Sequence, residues 1–78
     1  MPVKVVFYGW LREEVGKGEV EAEAGRAGEI VGRLGDKVLE ELRNGRLIMV
    51  VNHSRRVGPE ALIGDGDILA LLPTPSGG

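Results

Sequence analysis

The chain has 78 residues, no cysteine, and ten Lys+Arg against 12 Asp+Glu, for a net charge of −2. Lacking cysteine, it has no disulfide framework, thiolate nucleophile or cysteine-based metal site, and its slightly acidic balance argues against nucleic acid as a main partner. No apolar run nears the roughly 20 residues that span a bilayer and the N-terminus has no signal-peptide pattern, so no membrane partner is expected and a cytoplasmic location is the default.

Residues 3–8 form a β-branched and aromatic run that predicts a first strand, with Val3, Val5 and Phe7 on one face. Leu11 and Val15, four apart, suggest one helical turn on the core before Gly16. Residues 19–23 alternate glutamate with apolar residues, which fits an edge strand in a hairpin with the first. Residues 24–28 read as a loop. Ile30, Val31, Leu34, Val38 and Leu42 then recur at helical steps. They predict one main helix, interrupted where Gly35 ends one segment and Asp36 caps the next.

Asn44-Gly45 is a stop and turn signal, followed by an apolar third strand over residues 47–51. Asn52-His53-Ser54 turns the chain into a short strand around Arg55-Arg56-Val57. Leu62 and Ile63 are expected to tuck under the core from a turn. Asp65-Gly66-Asp67 then makes a tight turn into a last strand at residues 68–72. His53 reads as a solvated turn residue. Arg55 and Arg56, with Arg43 and Arg46, read either as a basic rim for an acidic partner or as ordinary solvated surface.

This order predicts an α+β domain over residues 1–72, best matched by a β-grasp (ubiquitin-like) arrangement. One main helix crosses a four- to five-stranded mixed sheet, and the core includes Val5, Phe7, Val31, Leu34, Leu69 and Leu71. The strands at 47–51 and 68–72 are apolar on both faces, yet a single helical layer covers only one. The uncovered face is expected to meet a protein partner.

Residues 73–78, Pro-Thr-Pro-Ser-Gly-Gly, are expected to form an extended, flexible tail. Pro73 and Pro75 fix φ and favour extension of the residue before each. Six extended residues reach about 18 Å. Gly77 and Gly78 lack a Cβ, so the end of the chain can pass through a narrow tunnel.

Phe7-Tyr8 with Leu11-Arg12-Glu13, Val50-Val51-Asn52, Asp65-Gly66-Asp67 and the Gly77-Gly78 ending resemble the MoaD/ThiS family of sulfur carriers over nearly the whole chain. Within that family the resemblance is to the small subunit of molybdopterin synthase. It implies that a ubiquitin-activating-type adenylyltransferase uses ATP to adenylate the Gly78 carboxylate. A sulfur donor then converts the adenylate to a thiocarboxylate, and the sulfur passes to a pterin precursor in the large synthase subunit. No cofactor is expected on this chain, which offers no triad, metal site or acid/base pair of its own.

The resemblance also implies that Leu69 and Leu71 point inward. Ile68, Ala70 and Leu72, with Pro73, Pro75 and Ser76 of the tail, then face the partner; the alternation itself leaves this phase open. Two rivals share the ending: a ubiquitin-like modifier joined to lysines, and a thiamine-type carrier. A plain interaction domain with an idle tail is a third.

Overall fold

The computed structural model describes residues 1–74. Ten elements follow in chain order: β1 (Val3–Phe7), α1 (Trp10–Val15), β2 (Glu19–Ala22), β3 (Gly25–Arg26), α2 (Ala27–Leu34), α3 (Asp36–Arg43), β4 (Leu47–Val51), β5 (Arg55–Val57), β6 (Leu62–Ile63) and β7 (Ile68–Pro73). Five strands form one mixed sheet in the order β2-β1-β7-β4-β5. β1 and β7 run parallel at its centre, and the other pairings are antiparallel. This is the β-grasp arrangement, with five strands.

Period-two alternation sends Val3, Val5 and Phe7 of β1, Leu47, Met49 and Val51 of β4, and Leu69 and Leu71 of β7 to one face, where all are buried. Ile30 and Val31 of α2, Val38 of α3 and Leu11 of α1 close over them. Each large side chain so buried contributes roughly 1.5–3 kcal/mol. Five of the six expected core residues are fully buried; Leu34, the last residue of α2, is only half-buried and packs at the margin.

The main helix is divided at Gly35, as its sequence suggests, into α2 and α3. Gly35, at φ 142° and ψ 153°, separates them in a conformation open to glycine and strained for other residues. Asp36 is the first residue of α3 and not its cap; Gly35 holds the cap position without any side-chain bond. An exposed ion pair, Lys37 Nζ to Glu14 Oε1 at 2.8 Å, ties α3 to α1. The Glu14 hydrogen bond and charge hold the Lys37 pKa above its ordinary value.

Residues 24–28 also differ from the expected loop. Gly25 and Arg26 pair antiparallel with Ile63 and Leu62 in a separate two-stranded sheet. Ile63 enters the core, whereas Leu62 is 72% exposed. The pairing is two residues long, too short for a period to show in the sequence. It lets Pro59 and Ala61 carbonyls accept from Gly28 and Ala27 N–H, satisfying donors that α2 leaves unpaired in its first turn. Glu29 Oε1 accepts from the Arg26 N–H at 3.2 Å, completing that start.

Candidate functional site

Strand register builds the face away from the helices. Ala70 lies beside Val6 of β1 and Val50 of β4; Ile68 lies beside Lys4, and Leu72 beside Ile48. Val6, Ile48, Val50, Ile68 and Leu72 are half-buried, with Ala70, 3% exposed, at their centre. Its single methyl is walled in by larger neighbours, so Ala70 forms the floor of the patch while Ile68 and Leu72 stand proud. Leu69 and Leu71 are fully buried on the opposite face, which fixes the phase that alternation left open.

Charges border this apolar stripe. On one side Lys4 Nζ meets Glu19 Oε2 at 3.7 Å, with Glu21 alongside; on the other Arg56 lies across from Val50. An apolar centre inside a charged rim is the anatomy of a protein-binding surface. Val6, Ile48 and Val50 belong to it; the strand at residues 47–51 reads as apolar on both faces, but the individual partner-facing residues named from sequence lie only in β7 and the tail. Their signal was present in Val5-Val6-Phe7 of β1 and in the unbroken apolar run of β4, but only the register shows that they neighbour Ala70.

The exit from β7 is tightly fixed. The strand runs one residue beyond the 72/73 boundary read from the sequence, because Pro73 pairs across from Leu47. Thr74 N–H donates to the Arg46 carbonyl at 2.9 Å, and Thr74 Oγ1 donates to the Gly45 carbonyl at 3.1 Å. Thr74 is therefore the hydrogen-bonded position opposite β4, and the nitrogen of Pro73 faces the other way. On that side the last bond runs from Tyr8 N–H to the Leu71 carbonyl at 3.1 Å, and Pro73, which has no N–H to give, ends the β1–β7 ladder there. Pro75, Ser76, Gly77 and Gly78, named above as tail and reacting residues, lie outside the described residues.

At the opposite end of β7, Asn52 clasps the incoming turn. Its N–H donates to the Ile68 carbonyl at 2.8 Å, its Oδ1 accepts from Ile68 N–H at 2.9 Å, and its Nδ2 donates to Asp67 Oδ1 at 3.1 Å. Asp67 Oδ2 also accepts from Gly64 N–H at 2.8 Å. The Gly64 bond first, then the Asn52 bond, hold the Asp67 carboxyl below its ordinary pKa. Asn52 and His53 take positive φ, 51° and 63°, in the exposed turn expected there.

Among the described residues, no three His, Cys, Asp or Glu side chains gather to hold a metal, and no helix is long and apolar enough to cross a membrane. The features that stand out among the described residues are a surface and a strand exit.

No family model matches the chain, and no curated protein sequence does. Solved structures do match. Small archaeal modifier protein 1 from Methanosarcina acetivorans is similar at 24% identity and a TM-score of 0.78, over 97% of this chain and 95% of that one. A protein described as molybdopterin converting factor subunit 1 from Pyrococcus furiosus is similar at 22% identity and a TM-score of 0.75, over 94% and 97%. Small archaeal modifier protein 1 from Haloferax volcanii gives 21% identity and a TM-score of 0.75 over 100% of both chains. The chain shares the ubiquitin-like β-grasp fold of these structures.

Proposed function

We propose that this chain is a sulfur carrier and the small subunit of a molybdopterin synthase. The observation that carries the reading is the apolar stripe around Ala70 on the same strand that leads, through the fixed Thr74, into Pro-Ser-Gly-Gly. A partner that grips the stripe receives the strand exit in a set direction. Likeness to a protein described as a molybdopterin converting factor subunit supports this choice of pathway.

The chemistry follows from the carboxylate. Its direct displacement would expel oxide, so the Gly78 oxygen must first attack the α-phosphorus of ATP, releasing pyrophosphate. Sulfide or a protein persulfide then attacks the acyl-adenylate and AMP leaves; a persulfide donor needs a reducing thiol to free the thiocarboxylate. An adenylyltransferase of the ubiquitin-activating type supplies the catalytic groups. The thiocarboxylate sulfur then bonds to a pterin precursor held by the large synthase subunit, and water hydrolyses the thioester to return the Gly78 carboxylate.

A second reading, a modifier joined to lysines through Gly78, is favoured by the likeness to two archaeal modifier proteins. One experiment separates the two. The chain is incubated with the activating enzyme, ATP and sulfide, and its intact mass is measured. Replacement of one oxygen by sulfur, lost again on adding the large subunit and a pterin precursor, is the expected result. Isopeptide adducts on lysines without sulfur exchange would select the modifier reading. A chain lacking Gly78 that still gained sulfur would sink both.

A further inference from the structure

A groove of about 730 Å³ opens between α3, the start of α2 and the end of β5, and meets the stripe around Ala70 at Ile48 and Arg56. Leu39, Leu42, Leu47, Met49 and Val57 supply its apolar lining. Three arginines, Arg26, Arg43 and Arg56, line it against one glutamate, Glu29. Within a chain of net charge −2, this groove is lined by more positive than negative side chains.

The arginines are not equivalent. Arg26 donates to the Glu60 carbonyl at 2.6 Å, and Glu29 is engaged by the Arg26 N–H. Arg43 and Arg56 are exposed and make no ion pair among the described residues. These two are the cations available to a ligand.

The backbone supplies a second observation. β5 is the last strand of the sheet order, so its far edge is unpaired among the described residues. Its ladder with β4 stops at Met49 and Val57, although β4 begins at Leu47. Arg46 and Asn52 bond across to Thr74 and Ile68 of β7, so residues 47, 49 and 51 turn their N–H and C=O toward the β5 side. Those of Leu47 point past the end of β5, beside the apolar lining.

We propose that this groove binds an extended acidic peptide, in which Asp or Glu alternates with Ile, Val or Leu. Its apolar side chains enter between Leu39, Leu42 and Val57, its backbone pairs with Leu47, and its carboxylates meet Arg43 and Arg56. Strand addition gives affinity through the backbone, and the lining and rim select the side chains. A basic segment is rejected by like charge. The groove adjoins the stripe at Ile48 and Arg56 but is floored by α3 and Val57, and the proposal does not depend on the sulfur-transfer reading.

The test titrates the full chain, labelled with nitrogen-15, with a blocked synthetic peptide Asp-Ile-Glu-Val-Asp-Leu-Glu. Saturable amide shifts are expected at Leu47, Val57 and α3, with Val6 and Ala70 unmoved. The double variant Arg43→Glu/Arg56→Glu should bind at least about tenfold more weakly, since like charges at a contact repel. If it melts early, Arg43→Gln/Arg56→Gln carries the comparison, with a loss of about fivefold expected. The proposal is overturned by no saturation up to about 1 mM peptide, the weak end of measurable binding. Shifts centred on Val6 and Ala70, equal binding of the peptide with lysine at its acidic positions, or displacement by a seven-nucleotide oligouridylate would overturn it too.

Discussion

A Cβ built on Gly9 would stand 2.8 Å from Cγ of Pro73, so the loop after β1 and the last residue of β7 touch at a point only glycine allows. Gly9 also lies at φ 60° and ψ −141°, a region nearly closed to other residues. Gly9→Ala should therefore cost about 1–3 kcal/mol in urea unfolding. Pro73→Ala in that background should restore part of the loss, because it removes the clashing Cγ but not the backbone strain. Strict additivity of the two changes would show that the contact is not the cause.

The clasp between Asn52 and Asp67 carries a pH signature. The Asp67 pKa is lowered from 3.8, chiefly by the Gly64 N–H and then by Asn52. Its folded value lies below its unfolded one, so the stabilisation is fully present above the unfolded pKa and is lost as pH falls through the folded pKa. An NMR titration of the carboxyl carbon should find its midpoint below 3.8. Asn52→Ala should raise that midpoint only part of the way, since the larger Gly64 contribution survives. A full return to the ordinary value would reverse that ranking.

Adjacent residues of β7 should respond in opposite ways. Leu69 is fully buried among Val5 and Val51, whereas Ile68 is half-buried on the outer stripe. Leu69→Ala should cost about 2–5 kcal/mol in equilibrium unfolding. Ile68→Asp should leave the isolated domain folded, judged by its amide spectrum, while weakening binding to the large synthase subunit about tenfold or more. An unfolded Ile68→Asp would mean that the outer face is needed for stability and is not held open for a partner.

Where a period repeats, the fold was legible. Alternation in β2, the apolar runs of β1, β4 and β7, and the three- and four-residue steps from Ile30 to Leu42 sufficed for the layers and for most of the core. The short pairing of Gly25–Arg26 with Leu62–Ile63 was not, because two residues per strand contain no period. The role of Gly9 was hidden for a different reason: its contact lies 64 residues away at Pro73, and glycine there reads only as the end of a strand. The stripe was half legible. Its apolar excess is local to each strand, but its shape comes from the register of three strands.

The strand exit makes the last prediction specific. Thr74 is pinned by its N–H to Arg46 and by its hydroxyl to Gly45. Thr74→Val removes one bond and Thr74→Pro removes both, and each lost bond is worth about 0.5–1.5 kcal/mol. Both variants should therefore fold. In an active site, however, a misplacement of about 1 Å can cost on the order of a hundredfold in rate. Thiocarboxylate formation, followed by intact mass, should slow modestly in Thr74→Val and more in Thr74→Pro. The slowing should appear in turnover more than in the concentration needed for half-saturation, because the stripe that docks is untouched. Gly77→Val should abolish the reaction without changing the melting temperature, since an added side chain obstructs a narrow tunnel. Equal rates in Thr74→Pro and the parent chain would mean that the activating enzyme positions the tail without help from its root.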